Sequence, residues 1–190
     1  MSIGKFILSF VIVIGCGTIS CARIEKVVDP RKKERNEITT KNYEKDGLSF
    51  AHPDNWRVTD DIVNSGPRLV NVEDSDNSLF VITLLPPNGD VDLDAYAENF
   101  TTNVSKNMPV GNVSEPKKSI VNRTIDNKDH DGIQYKYSIV LLGQNVPHTA
   151  NFFVVELRKS TAIIMIQAPD EDWKAADKEF QVIFDSLRFD

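Results

Sequence analysis

The chain has 190 residues and a net charge of -6, and its hydrophobic content is 41%. This length and composition are typical of one globular domain with a real core, and they require no second domain. The charge is uneven: residues 22–45 hold 8 basic and 5 acidic side chains, whereas residues 46–190 hold 13 basic and 23 acidic ones. Because the phosphate backbone repels an acidic domain, we expect no nucleic acid partner.

The first 21 residues predict a secretory signal that ends in a lipid-attachment box. Lys5 provides a short positive start, residues 6–14 are almost entirely apolar, and small residues follow up to a cysteine. The apolar run is far shorter than the ~20 residues that a membrane span needs. We therefore expect a signal peptide over residues 1–20 and a mature chain that several acyl chains attach stably to a membrane.

Two cysteines, Cys16 and Cys21, compete for the lipid, and each follows a small residue. Val13, three places before Cys16, suits the usual box better than Thr18 suits Cys21. Cleavage before Cys16, however, leaves a signal of only 15 residues and a free thiol at Cys21, which is open to oxidation in an oxidising compartment. We therefore assign the lipid to Cys21, with Cys16 as the alternative.

Residues 21–45 are predicted to form a flexible basic tether. They contain the run Arg31-Lys-Lys-Glu-Arg35 and almost no clustered apolar side chains, which is typical of a disordered linker. A basic run beside a lipid anchor can alternatively lie on anionic headgroups. The globular domain is expected over residues 46–190.

The first half of this domain has the patterns of strands followed by a helix. Residues 47–53 alternate as a short strand that Pro53 breaks before Trp56, and residues 68–73 and 78–84 flank a turn-rich tetrapeptide that predicts a hairpin. Residues 79–84 are apolar on both faces except at Thr83, which indicates a central strand. Asp92 then caps a predicted helix that ends at Pro109 and carries one apolar stripe: Leu93, Tyr96, Ala97, Phe100, Val104 and Met108.

The second half predicts an antiparallel meander followed by a helix. Strands are expected over residues 119–125, 132–142, 149–157 and 161–168, with hairpin turns at 129–132, 143–147 and 158–160. Pro169-Asp170 opens a helix whose apolar face carries Trp173, Ala176, Phe180, Ile183, Phe184 and Leu187. This order predicts an α+β fold, an antiparallel β-sheet flanked by two helices. The expected core includes Trp56, Phe80, Ile82, Phe100, Phe152, Ile164, Trp173, Phe180 and Phe184.

Two segments resemble a known superfamily. The segment Asp46-Gly-Leu-Ser-Phe-Ala-His-Pro-Asp-Asn-Trp56 resembles the opening of PsbP-like domains, a short strand, proline, two residues and tryptophan. The closing segment Phe184-Asp-Ser-Leu-Arg-Phe189 is similar to the helix end of the same superfamily. A lipoprotein signal before such a domain is similar to the DcrB group of bacterial envelope lipoproteins. The resemblance implies an α/β/α sandwich in an extrinsic assembly or adaptor protein, with no catalytic residue to carry over.

The residues themselves contain no strong catalytic pattern. The histidines are His52, His130 and His148, and nucleophilic catalysis would need a cysteine or serine poised beside one of them. The sequence has no Gly-x-Ser-x-Gly, no His-Glu-x-x-His and no phosphate-binding glycine loop. We therefore expect neither enzymatic activity nor a cofactor.

The nearest approach to a metal site is the segment Asn-Lys-Asp-His-Asp-Gly at residues 127–132, which imitates half of a calcium loop. Its first ligand is Asn, and Ser138 stands where a bidentate Glu is needed. We therefore expect Asp129 and Asp131 to shape a hairpin turn, with a divalent-cation site as the alternative.

One predicted strand also indicates a binding surface. In the predicted strand 132–142, the apolar residues Ile133, Tyr135 and Tyr137 alternate with the polar residues Gln134, Lys136 and Ser138. One face of the first half of this strand is therefore expected to be exposed to solvent, and we call it the wet face. We expect a lipid-anchored protein of the bacterial cell envelope, on the periplasm-facing outer membrane, that binds an envelope protein through this wet face or an exposed loop. The alternative function is a small-ligand or cation-binding envelope domain.

Overall fold

The computed structural model describes residues 38–63, 66–86, 91–107, 111–141 and 143–189. The strands within these ranges form two antiparallel sheets. The expected signal peptide, Cys16, Cys21 and residues 21–37 of the tether lie outside the described residues. In chain order the elements are β1 (Thr40–Lys45), β2 (Leu48–Pro53), β3 (Arg57–Val63), β4 (Arg68–Glu73), β5 (Leu79–Leu85), α1 (Leu93–Asn107), β6 (Asn112–Val113), β7 (Lys117–Ile125), β8 (Lys128–Leu141), β9 (Gln144–Glu156), β10 (Thr161–Pro169), α2 (Trp173–Ser186) and β11 (Arg188–Phe189).

The larger sheet has the strand order β3, β4, β5, β10, β9, β8, and β6 and β7 both pair with the outer side of β8. Strand β5 is central, between β4 and β10, as its apolar pattern predicts. The smaller sheet has the order β1, β2, β11. The predicted α+β class, an antiparallel sheet with two helices, is confirmed. None of the helices in the described ranges is long and apolar enough to cross a bilayer.

Each helix covers one face of the larger sheet. Alternation along the strands sends Phe80 and Phe153 to the side of α2, where Phe180 and Phe184 are fully buried. The opposite face packs against α1 through Phe152, whose ring centroid lies 5.5 Å from that of Phe100. The predicted core is confirmed at Trp56, Phe80, Ile82, Phe152, Ile164, Phe180 and Phe184, whereas Phe100 and Trp173 are only half-buried.

Both helices begin close to the predicted residues. The Asp92 carboxylate accepts a hydrogen bond from the Ala95 amide at 2.9 Å, which caps α1 as expected. Helix α2 starts at Trp173, after a tight turn in which the Asp172 amide donates to the Pro169 carbonyl at 3.0 Å. The indole of Trp56 donates to Glu179 of α2 at 2.9 Å, so the opening tryptophan is tied to the closing helix.

The predicted tether is too long at its C-terminal end, because Thr40–Lys45 form β1 against β2. An ion cluster holds this strand to the larger sheet. The Asp61 carboxylate accepts hydrogen bonds from Arg68 Nε and the Tyr43 hydroxyl, each at 2.8 Å, and Arg68 Nη1 donates to the Lys45 carbonyl. The Arg68 guanidinium holds the pKa of Asp61 well below its ordinary value. The domain therefore begins before residue 46.

The turn predicted at residues 129–132 is wrong. The chain turns at Asp126 and Asn127, which have φ angles of 48° and 59°, and β8 starts at Lys128. Asp and Asn tolerate this left-handed backbone, and a two-residue turn of this kind matches the twist of a hairpin. The turn predicted at residues 143–147 is also too long, because β9 begins at Gln144 directly after Gly143.

Gly132 lies within strand β8, where its neighbours leave no room for a side chain. It lies opposite Phe153 in the β8–β9 ladder, and a Cβ added there would lie 2.4 Å from the Phe152 carbonyl oxygen and 2.5 Å from Cδ1 of Phe153. The missing side chain thus lets the Phe153 ring cross β8 toward α2. This glycine marks close packing and not a turn.

Candidate interaction surface

The two carboxylates considered for a cation site lie on the strand β8. Asp129 accepts a hydrogen bond from the Thr124 hydroxyl at 2.7 Å, and Asp131 accepts one from the Asn122 amide at 3.1 Å. Both are exposed, and each is engaged with its cross-strand neighbour on β7. Within the described ranges, no group of three or more His, Cys, Asp or Glu side chains converges on one point.

The three histidines are all held by backbone carbonyls. The Nδ1 atoms of His52, His130 and His148 lie 2.9 to 3.1 Å from the carbonyl oxygens of Pro53, Val154 and Val146. His148 is buried and stacked on Tyr137, and this burial lowers its pKa. These contacts fix the orientation of each ring.

Two surface hollows lie near the C-terminal end of the chain. One, of about 240 Å³, lies beside the β7–β8 turn and is bordered by Phe184 and Arg188. The other, of about 300 Å³, is bordered by Leu84, Leu157 and Arg158. Small-molecule sites usually enclose about 300 to 1,000 Å³. Neither hollow is large for such a ligand.

The outer end of the larger sheet exposes a continuous polar surface, which we call the polar face. It consists of Lys117 and Ser119 on β7 and of Gln134, Lys136 and Ser138 on β8. The register places Lys117 opposite Lys136 and Ser119 opposite Gln134, so these side chains share one side of the sheet.

The polar face is on the same side of the sheet as α2, but beyond the reach of that helix. Helix α2 reaches β7 only near the hairpin turn, where Asp177 pairs with Arg123 and the Phe184 ring lies 4.8 Å from the guanidinium. Lys117 and Lys136, at the other end of the ladder, are exposed and have no ion-pair partner in the described part of the chain. The polar face is therefore basic on a domain that is acidic overall.

Hydrogen bonds order the polar side chains of this surface. Gln134 Nε2 donates to Oδ1 of the buried Asn151 at 3.0 Å, and the Ser138 amide donates to the Ser114 hydroxyl at 2.9 Å. The alternation of apolar and polar residues in β8 predicts this face correctly. The meander pattern predicts that β7 lies beside β8, but its contribution to this face was missed. The misplaced turn gives the wrong register, and the predicted strand begins at residue 119 and omits Lys117.

A curled antiparallel sheet with one helix on each face is the α+β architecture of PsbP-like domains. The family model described as PsbP matches residues 39–189. The chain therefore belongs to the PsbP family, and the predicted superfamily is confirmed. The more specific likeness to the DcrB group stays a prediction. No curated protein sequence matches the chain.

The solved structures that are similar to this chain include the following three. CyanoP, the cyanobacterial PsbP from Synechocystis sp. PCC 6803, is 13% identical, with 83% of this chain and 96% of that chain covered at a TM-score of 0.50. LpqN, involved in cell envelope biogenesis of Mycobacterium tuberculosis, is 16% identical, with 80% and 91% covered at 0.39. The Ran-binding protein Mog1p of Saccharomyces cerevisiae is 10% identical, with 80% and 96% covered at 0.41. The likeness to CyanoP shows the shared fold.

Proposed function

We propose that this protein is a lipid-anchored, non-enzymatic adaptor of the bacterial cell envelope that binds an acidic partner protein. In this proposal Cys21 carries the acyl chains, the protein faces the periplasm from the outer membrane, and the PsbP-family domain presents its polar face to the partner. The signal pattern and the lipid-attachment box in the sequence support the anchor.

The observation that carries the binding role is the basic polar face. Lys117 and Lys136 project from adjacent strands on one side of the sheet, and neither helix covers them. Opposite charges steer two proteins together and fix their orientation, so this face favours a partner surface rich in Asp and Glu. The remainder of the acidic domain would repel the same surface.

The absence of catalysis is part of the proposal. Support comes from the sequence, which contains no Gly-x-Ser-x-Gly, His-Glu-x-x-His or phosphate-binding glycine motif. A general base needs a ring nitrogen within reach of the proton it removes. The burial of His148 against Tyr137 restricts access to its ring.

The anchor is tested by metabolic labelling with a fatty acid. We expect Cys21→Ser to abolish incorporation and Cys16→Ser to preserve it, because Cys21 alone combines an ordinary signal length with a thiol-free mature chain. Membrane fractionation of both variants locates the protein. Label lost in Cys16→Ser and kept in Cys21→Ser would reverse the assignment.

The binding role is tested by formaldehyde crosslinking in intact cells. We expect the variant Lys117→Glu/Lys136→Glu to lose a crosslinked partner that the native protein retains. The matched control is Lys174→Glu/Lys178→Glu, which reverses two exposed charges on α2. Equal loss in both double variants would show a general charge effect and reject the polar face as the binding surface.

A further inference from the structure

Strand β7 forms a free edge of the larger sheet. It pairs with β8 from Lys117 to Ile125, and no other strand in the described ranges pairs with its second side. An edge strand presents a row of unpaired N–H and C=O groups, to which another chain can add a strand.

The hairpin turn determines which backbone groups point outward. A two-residue turn at Asp126 and Asn127 makes Ile125 and Lys128 a hydrogen-bonded pair. In an antiparallel ladder, hydrogen-bonded and non-hydrogen-bonded pairs alternate along the strand. Because Ile125 is in a hydrogen-bonded pair, Thr124 and every second residue before it direct their N–H and C=O groups away from β8. The outward residues are Lys118, Ile120, Asn122 and Thr124.

This edge lacks protections that the opposite edge has. Strand β3, at the far side of the sheet, has a register irregularity between Val58 and Asp60, and β1 side chains bind its Asp61. The β7–β8 register runs without a shift over all of its pairs, and β7 contains no proline. Bulges and prolines prevent strand addition, and β7 has neither; its lysines oppose the addition of a basic strand but not of an acidic one.

The side chains of β7 add an apolar contact to the free backbone. Ile120 is 71% exposed, although its cross-strand neighbour Ile133 is buried against α1. A strand added along β7 would place a side chain beside Ile120, within the spacing at which cross-strand pairs interact. A strand added along β7 would therefore cover the exposed Ile120.

Charge identifies the occupant. Strand β7 carries Lys117, Lys118 and Arg123 and no acidic residue, on a domain whose overall charge is negative. Lys118 pairs with Asp94 of α1 and Arg123 with Asp177 of α2, so Lys117 is the β7 cation without an ion-pair partner in the described part of the chain. In a second copy of this chain the acidic residues lie outside β7, so a contact between two β7 strands would not include them. A two-fold β7–β7 pairing centred on Ile120 would also set Lys117 opposite Arg123, which is unfavourable. The edge therefore favours an acidic segment of another protein.

We propose that an extended, acidic segment of the partner protein adds a strand to the free edge of β7. Main-chain hydrogen bonds to Lys118, Ile120, Asn122 and Thr124 would provide affinity, and an apolar side chain beside Ile120 with carboxylates near Lys117 would provide specificity. This inference rests on the proposed adaptor function and names how the partner is held.

The test is site-specific photocrosslinking of the full-length protein in its own membranes. The photoreactive amino acid p-benzoylphenylalanine replaces Ile120, and the matched control carries it at Val63, an exposed residue at the end of the opposite edge strand. We expect a discrete heavier adduct from position 120 and none from position 63. Mass spectrometry of the adduct identifies the partner and the charge of the attached segment.

A backbone variant distinguishes strand addition from simple contact. Asn122→Pro removes an outward N–H and leaves the bonds to β8, whereas Asn122→Ala removes the same side chain and keeps the N–H. We expect the proline variant to lower the adduct yield about tenfold and the alanine variant to preserve it. Lys117→Glu, which leaves the backbone unchanged and keeps the ion pair between Lys118 and Asp94, should lower it as well, so the test survives if the proline disturbs folding.

Several outcomes would overturn the inference. An adduct of two copies of this chain would replace the partner segment by self-association. An equal adduct from position 63, or one that both Asn122→Pro and Lys117→Glu leave unchanged, would reject strand addition at β7. If formaldehyde still captures a partner while position 120 gives no adduct, the edge is wrong and the adaptor function stands. If formaldehyde captures nothing, the adaptor function itself fails.

Discussion

The part of the domain beneath α2 and the part formed by β6, β7 and β8 differ in how their side chains are used. Beneath α2, Trp56 and Phe180 pack with ring centroids 5.4 Å apart, and both are fully buried. At the other end, Lys117, Ile120 and Lys136 face solvent. Substitutions in the first region should therefore change stability, and those in the second should change binding. The buried residues of the second region, such as Ile125 and Ile133, are exceptions, and so is Gly132, which packs into the first region.

The largest expected effect is at the centre of the α2 core. Phe180 contacts Trp56, Phe80 and Trp173 through ring packing. Phe180→Ala should lower the free energy of unfolding by about 3 to 5 kcal/mol, because it leaves a cavity as well as losing buried area. Urea denaturation measures the change. Phe100→Ala, at a half-buried ring on α1, should cost less; a loss below about 1 kcal/mol for Phe180→Ala would contradict the packing of the closing helix.

The second largest effect on stability is expected at Gly132. Gly132→Ala should destabilise the protein by about 1 to 3 kcal/mol, because its Cβ would collide with Phe153 and force the ring from its place. The control on the same strand is Ser138→Ala, at a half-exposed position where about 0.5 kcal/mol or less is expected. Equal effects of the two substitutions in thermal and urea unfolding would show that β8 has no close approach to Phe153.

The third effect concerns the cluster that ties β1 to the larger sheet. Because Arg68 lowers the pKa of Asp61 in the folded protein, the cluster contributes stability above the ordinary pKa of an aspartate, about 3.9. That contribution is lost as the pH falls below this value toward the folded-state pKa.

Urea unfolding between pH 7 and pH 3 measures this contribution. Asp61→Asn should be less stable than the native protein at pH 7, and the difference should shrink toward pH 3. The exposed Asp129→Asn serves as the control for a general charge effect. A difference between native protein and Asp61→Asn that stays constant with pH would show that the Asp61 carboxylate is not linked to stability.

The smallest expected effect is that of calcium on the β7–β8 hairpin. The carboxylates of Asp129 and Asp131 already accept hydrogen bonds from Thr124 and Asn122. We therefore expect calcium to raise the melting temperature no more than a monovalent salt of the same ionic strength does. A native-state site would add about 2.7 kcal/mol at a hundredfold excess of ligand over Kd. A rise that Asp129→Asn/Asp131→Asn abolishes would favour the cation-binding alternative over the adaptor.

Local sequence patterns determined the helices, most strands and much of the core. The stripe from Trp173 to Leu187 recurs at helical spacing, so its buried face follows from one period, and the α2 residues Ala176, Phe180, Ile183 and Phe184 are buried as predicted. The alternation in β8 likewise separates Ile133 from Gln134 without knowledge of any neighbour. The sequence also predicts the lipid anchor at Cys21, which lies outside the described residues.

Tertiary structure alone decided the features that depend on contacts between distant segments. Gly132 is typical of a turn until Phe153, on the following strand, is placed opposite it in the ladder. Thr40–Lys45 have a linker composition, yet Arg68 and Asp61 hold them in the domain. Whether β7 lies at an edge depends on the pairing of the whole sheet. Local periodicity reports the environment of each residue along its own element, whereas register and edges arise only when the elements assemble.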